Sequence, residues 1–385
     1  MARALVLGGG MVGTVIAADL AVDLDVTVAD RSAEALARVQ ARAPGVRTLQ
    51  ADLSDPSVIA ALAREADVVC GALASRLGLA ALRAVIGAGK PYCDISFMAE
   101  DAWTLDELAR EAGVTAVVDC GVAPGMSNLL AGWSTVRLAD VESIVMMVGG
   151  VPVLRSWPWD YKAGFAPSDV VEEYTRPARI VEGGRIVVRE ALSELERVEF
   201  PGVGTLEAFN TDGLRSLAYT LGVPNMKEKT MRWPGHVEKM AMLRHLGLFG
   251  TEPIQVSGQT VVPRDLTSKL LFPQWTYEDG EEDLTVMRVE AVGRLHGERV
   301  RLSWDLFDRY DAASRCTSMS RTTAFPCAIV ARMLLDGTVS RPGVIVPERL
   351  GQQAGVPERV IAELRDRGVH YAERVVPEPS SVPGA

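Results

Sequence analysis

RALVLGGGMVGTVIAADLA, Arg3 to Ala21, decides the fold. A short apolar strand runs straight into Gly8, Gly10 and Gly13, spaced G-x-G-x-x-G, and helical spacing continues through Val15, Ile16 and Leu20. The turn needs glycine because its dihedrals are unusual, its backbone must approach a pyrophosphate, and helix and strand pack closely behind it. Met11 and Val12 then bring the first helical amides to the same phosphates. A second strand, DVTVAD, ends in Asp30, where a carboxylate grips the ribose hydroxyls and repels a 2′-phosphate. NAD is therefore expected, with NADP possible. Arg31 either stacks on adenine, softens that discrimination, or is a solvated surface arginine.

The alternation continues with VRTLQADLSD, VIAALAREA, DVVCGAL, GLAALRAVIGAG, KPYCDIS, LDELAREAG and VTAVVDCG. Strands and helices taking turns predict an α/β fold with a doubly wound, Rossmann-type parallel sheet. Ligands gather at strand carboxyl ends, which marks Asp52 and Leu53 on the adenine side, and Leu73 and Ser75 beyond the fourth strand. DCGVAPGMSNLLAGW, Asp119 to Trp133, is a second glycine turn without the phosphate spacing. It is expected to close the parallel sheet, to bring Gly121 and Val122 beside the nicotinamide, and to send Asn128 into a helix that faces the substrate.

Beyond Trp133 the texture changes to VESIVMMVGGVPV, RIVEGGRIVV and the paired runs LTVMRVEAVGRL and RVRLSWDLF joined by HGE. These read as strands and hairpins of a second α+β domain with a mixed or antiparallel sheet. The expected division is a nucleotide domain over 1–125, a substrate domain over 126–320, helices returning to the first domain over 321–372, and a disordered tail over 373–385. In such enzymes the small molecule sits in a cleft beside the nucleotide domain.

The 385 residues are 48% hydrophobic with a net charge of -10 and no basic block, which argues against nucleic acid or an anionic membrane as partner. No apolar run of spanning length and no charged leader is evident, so a cytoplasmic protein is expected. Five scattered cysteines without a C-x-x-C pair indicate neither a disulfide framework nor a zinc site, and read as reduced, mostly buried thiols.

The chain resembles the saccharopine dehydrogenase-like family, and within it the lysine 6-dehydrogenases. The segments that carry this are VLGGGMVG, DCGVAPGMSNLLAGW, VGGVPV, EEYTRPARIVEGG, LEAFNTDGLRSL, KTMRWPGHVEKM, SRTTAF and RPGVIVPE, collinear over almost the whole length. The resemblance implies NAD-dependent oxidation of an amino acid's side-chain amine, with the ε-amine of L-lysine as the leading substrate, and a homodimer or dimer of dimers. KTMRWPGH is similar to the T-L-R-Y-x-G stretch of saccharopine-forming reductases, which makes Arg232 a candidate for the substrate carboxylate. Those reductases often follow the G-x-x-P-G turn with an acid and a histidine, where Ser127 and Asn128 stand here. Saccharopine-type coupling of an amine with an oxo acid is one alternative, and a catalytically silent dinucleotide sensor is another.

Hydride removal from an amine carbon needs a neutral amine, a group to take its proton and a carboxylate clamp, and it needs no metal. Asp94 and Asp119 follow parallel strands and serve either as ammonium grip or proton relay, or as capping aspartates. His236 is an acid or base, or a buried hydrogen-bonded ring. Lys239, three residues on, is a base if desolvated. Arg155, Asp160 and Tyr161 lie in LRSWPWDYKAGF, a loop that either closes over substrate or forms a small core. Thr211 and Asp212 are substrate contacts or turn formers. Arg321 binds an anion together with helix amides, or pairs with an acid.

Overall fold

The computed structural model describes residues 1–379. In chain order the first part holds β1 (Arg3–Leu7), α1 (Met11–Leu20), β2 (Asp25–Asp30), α2 (Ala33–Arg42), β3 (Arg47–Gln50), α3 (Pro56–Arg64), β4 (Val68–Gly71), α4 (Ser75–Gly87), β5 (Tyr92–Asp94), α5 (Asp106–Glu111), β6 (Thr115–Val117) and α6 (Met126–Arg137). The middle holds β7 (Ala139–Pro152), α7 (Pro167–Thr175), β8 (Ala178–Glu182), β9 (Arg185–Arg189), β10 (Glu196–Phe200), β11 (Gly204–Asn210), α8 (Leu217–Thr220), β12 (Met226–Arg232), α9 (His236–His245), β13 (Ile254–Val256), β14 (Gln259–Val261), α10 (Pro263–Trp275), β15 (Asp283–Leu295) and β16 (Glu298–Arg309). The end holds α11 (Ser318–Leu335), β17 (Gly343–Ile345), α12 (Pro347–Gly351), α13 (Val356–Asp366) and β18 (Tyr371–Pro377). The chain divides into two compact units, Met1–Trp133 with Ser320–His370, and Ser134–Met319 with Tyr371–Ala385.

Unit 1 is a seven-stranded sheet in the order β17-β6-β5-β4-β1-β2-β3, parallel throughout. The central strands are buried on both faces, which is why Val68 to Gly71 reads as an unbroken run, not an alternation. Local chemistry starts the helices: the Ser32 hydroxyl accepts from the Ala35 amide to cap α2, and Asp55 caps α3 ahead of Pro56. One expectation is corrected. The turn after β6 does not close the sheet, because β17, more than two hundred residues later, pairs parallel with β6 at Gly343↔Thr115 through Ile345↔Val117. Three residues are too short to announce a strand by period.

Unit 2 is a nine-stranded mixed sheet with the path β10-β11-β12-β7-β15-β16-β18, and β8 and β9 branch from β12. β12 runs parallel to β7, and β15 runs antiparallel to both β7 and β16. His296 and Gly297 close the β15–β16 hairpin with positive φ of 53° and 87°, the handedness that suits strand twist. Residues 373–377, expected in a disordered tail, belong to β18, which pairs along β16 from Leu306↔Tyr371 to Val300↔Pro377. Ion pairs of Arg137 with Glu373 and of Arg301 with Glu378 fix this edge strand despite its exposure. Residues 380–385 of that tail lie outside the described residues. Among the described residues no helix is long and apolar enough to cross a membrane.

Candidate functional site

In unit 1 each glycine of the first turn has a separate reason. Gly8 has φ +102°, and a Cβ there would lie 2.4 Å from the Ala72 carbonyl oxygen. A Cβ on Gly13 would lie 1.9 Å from the Gly8 oxygen, whereas one on Gly10 would meet nothing within 4 Å. The middle glycine therefore borders open space and the outer two do not. No side chain caps α1, so the first amides, those of Met11 and Val12 included, are available to an anion. Asp30 is aimed by two backbone donors: Gly9 N–H gives to Oδ2 at 2.7 Å and Ser32 N–H to Oδ1 at 2.8 Å. Ser75 Oγ, at the start of α4, is buried without a hydrogen-bond partner. The open space at Gly10, the aimed carboxylate and this orphan hydroxyl fit a dinucleotide.

The neighbouring candidates divide. Arg31 is exposed, and its carbonyl accepts from Gln50. Asp52 is exposed and takes the Ser54 amide and hydroxyl, so it holds its own turn, and those bonds keep its carboxyl below the usual range. Leu53 is turned into the hydrophobic core instead of toward a ligand, and Leu73 packs half-buried on that core.

The second turn folds back on itself through bridges of Gly121 and Val122 with Gly125. Gly125 has φ +143°, and a Cβ on it would fall 2.0 Å from the Gly121 oxygen. Asn128 departs from its expected role. Its Oδ1 accepts from the Gly125 amide and the Ser127 hydroxyl, so the side chain clamps the turn instead of facing substrate. Asp119, with φ 52°, and Asp94 are both buried. Asp94 Oδ1 accepts from the Ser96 amide at 2.8 Å, while Oδ2 closes no hydrogen bond. Burial pushes this carboxyl up to about 7; the Ser96 hydrogen bonds oppose the rise and the charge of Asp119 adds to it.

In unit 2 the chemistry collects on one face of β12. Glu228, Thr230 and Arg232 alternate with Lys227, Lys229 and Met231, so the first three share a face. Arg232 Nη2 donates to Glu173 Oε2 at 2.6 Å, Nη1 to the Met231 carbonyl, and the guanidinium lies 4.7 Å from the Tyr161 ring centre. Its Nε is buried without a partner. Burial raises the Glu173 carboxyl, and the guanidinium offsets part of that rise. Thr211 donates to Glu228 and shares a 2.9 Å hydrogen bond with Thr230. Burial pushes Glu228 up to about 8, so it holds its proton at neutral pH.

Other candidates resolve into structure. His236 is fully buried; Nδ1 lies 2.9 Å from the Trp159 carbonyl, which can only accept, and Nε2 lies 2.9 Å from the Tyr174 hydroxyl. Nδ1 is thus the protonated nitrogen and Nε2 the acceptor. Burial pushes this ring down to about 3, which leaves a neutral structural histidine with no nitrogen free for acid–base work. Lys239 pairs with Asp160 at 3.5 Å and remains partly exposed. Arg155 meets the same carboxylate and stacks on Trp233. Tyr161 is core, edge-on to Trp275 and tilted on His236. Asp212 is held by two guanidinium hydrogen bonds from Arg179. Arg321 gives Nη2 to the Arg367 carbonyl and lies over Phe325. The anion at the start of α11 is the chain's own Asp283, which takes the Ser318 and Met319 amides at 2.6 and 2.9 Å.

Glu173, Tyr174 and Glu228 are functional candidates that motif reading passes over. The signal for Glu228 was present: it stands two and four residues before Thr230 and Arg232 on a period-2 strand. Glu173 and Tyr174 lie 59 and 62 residues from their partners, with no local mark.

Two family models cover the chain. Residues 4–117 match the saccharopine dehydrogenase NADP binding domain, and residues 121–369 match the saccharopine dehydrogenase C-terminal domain. Saccharopine dehydrogenase [NADP(+), L-glutamate-forming] of Schizosaccharomyces pombe is 21% identical over 87% of this chain and 90% of its own. Carboxyaminopropylagmatine dehydrogenase of a Synechocystis strain is 20% identical over 97% of this chain and 98% of its own. The solved apo saccharopine dehydrogenase (L-Glu forming) of Saccharomyces cerevisiae superposes with a TM-score of 0.79 at 20% identity, covering 98% of this chain and all of that one, so the fold is shared.

Proposed function

The chain belongs to the saccharopine dehydrogenase family of nicotinamide-dinucleotide oxidoreductases, and on that premise we propose that it oxidatively deaminates the side-chain amine of an amino acid, the ε-amine of L-lysine first among them. NAD is the favoured cofactor, because Asp30 presents a carboxylate where a 2′-phosphate would be repelled. When bound, the nicotinamide accepts the hydride. The protein's part is to hold one carboxylate and to manage one proton.

The observation that carries this reading is the face of β12. It offers one cation, Arg232, held by Glu173 and Tyr161 with an uncommitted Nε, which suits a substrate with a single carboxylate. Asp94 is the base: a carboxyl near 7 with one oxygen unengaged takes the proton from the amine and leaves it neutral for oxidation. The carbon then gives up hydride, water adds to the iminium, and ammonia leaves. The semialdehyde that remains cyclises on its own α-amine to a piperideine carboxylate.

Saccharopine-type coupling is the second reading, favoured by the names of the relatives. It requires further cations for the added carboxylates, and the Ser127–Asn128 pair follows the second turn where those reductases often carry an acid and a histidine. Nicotinamide absorbance, followed with NAD or NADP and a panel of lysine, ornithine, diamines and saccharopine, separates the two. Lysine turnover with ammonia release and a preference for NAD is expected. Turnover of saccharopine alone overturns the lysine assignment, and dinucleotide binding without turnover of any amine overturns the enzyme reading.

A further inference from the structure

Three of the five cysteines, far apart in sequence, meet in space. Cys70 on β4, Cys93 on β5 and Cys327 on α11 place their sulfurs within 4.8 Å of one another, and all three residues are fully buried in unit 1. Cys93 Sγ lies 3.5 Å from Cys70 Sγ and 3.4 Å from Cys327 Sγ. Cys70 and Cys93 face each other across adjacent parallel strands, and Cys327 comes down on them from the helix 234 residues away.

We propose that these three sulfurs form a binding site for one soft monovalent cation of the copper(I) class. An ion about 2.3 Å from each of three sulfurs, the ordinary metal–thiolate distance, spaces them by about 4.0 Å. The observed group reaches that spacing with shifts of a few tenths of an ångström. Zinc asks for four ligands, and among the described residues no fourth histidine, cysteine or carboxylate joins the group. Three soft donors in a dry, apolar core suit a thiophilic d10 ion that accepts three-coordination. Charge points the same way. Three metal–sulfur bonds form, two S–H bonds break, and two protons pass to solvent. Two thiolates, one thiol and a monovalent ion leave a single net negative charge, far cheaper to bury than the outcome of three full thiolates. No oxidation state changes.

The test uses the reduced full-length protein under anaerobic conditions, with copper(I) supplied as its bicinchoninate complex, both to native protein and during refolding. By at least one route native protein should take one copper per chain from the chelator, show sulfur-to-copper charge-transfer absorption, and report three sulfurs at about 2.3 Å by X-ray absorption. Melting temperature should rise with bound copper. Cys93→Ser, Cys70→Ala and Cys327→Ala each remove a ligand from a different element and should weaken binding by at least about 100-fold, while Cys316→Ser should not. Thermal melts identify which ligand variants are folded, so the comparison does not depend on any one of them. The proposal fails if neither route leaves copper on the native protein, if folded ligand variants keep it, or if Cys316→Ser loses it.

Discussion

At Asp94 function and stability pull in opposite directions. In the unfolded chain this carboxyl has an ordinary value of 3.8, and in the fold it stands near 7, so over that window the native state holds more protons than the unfolded one. Stability therefore falls as pH rises from about 4 to about 7, by on the order of 4 kcal/mol as an upper bound. Asp94→Asn removes that slope: denaturant unfolding at pH 5 and pH 8 should show a variant more stable than the parent at pH 8, with the margin clearly smaller at pH 5. The same substitution should lower kcat/KM by about 1,000-fold, and the residual activity should lack the acidic limb near pH 7. A variant that keeps both the limb and the activity would remove Asp94 as base. His236 gives the opposite result. Both of its nitrogens are engaged in the core, so His236→Ala should cost about 2–3 kcal/mol of stability yet leave the shape of the pH–rate profile above pH 5 unchanged. A limb that disappears with it would restore His236 to the chemistry.

At the scale of the element, the first turn separates packing from binding within four residues. Gly13→Ala drives a methyl into the Gly8 carbonyl and should destabilise the protein by at least about 2 kcal/mol, whereas Gly10→Ala puts the methyl in open space. Thermal melts of Gly10→Ala should match the parent while its affinity for NAD, read by fluorescence titration, drops about 100-fold. Equal melts for both variants would show that the turn is not built as described. The turn was legible because everything that marks it lies between Arg3 and Asp30: apolar strand, spaced glycines, helix and terminal acid. The β15–β16 hairpin was legible for the same reason. The seventh strand was not, since Gly343–Ile345 acquires strand character only by pairing with β6. Nor was the occupant of the α11 amides, because Asp283 lies 35 residues from Ser318. The β18 strand hid in a proline-flanked stretch whose order comes from β16 and from arginines far along the chain. Thus the candidate site was half readable. The glycine turn of unit 1 is a local motif, whereas the buried polar face of β12 in unit 2 is completed by Glu173 and Tyr161 from another stretch of the chain.

Across the whole molecule, two sheets of different construction stand behind the two recognition tasks proposed for the chain. A parallel sheet sends every strand's carboxyl end the same way, so turns after β1, β2 and β4 share one edge, which suits a long ligand read in several places. A mixed sheet buries selected polar residues on one strand face, which suits a small charged group that must be held without water. Each ligand should therefore leave its own footprint in amide hydrogen exchange. NAD alone should slow exchange at residues 8–14, 30–33 and 72–78, each peptide stabilised according to the ligand's occupancy, about 2.7 kcal/mol at a hundredfold excess over Kd. L-Lysine should slow residues 171–175, 208–212 and 226–237 instead. In Arg232→Met the NAD footprint should survive and the lysine footprint vanish, since the two sets share no residue. Protection of β12 by NAD alone, or a lysine footprint that persists without Arg232, would mean that the carboxylate is held elsewhere.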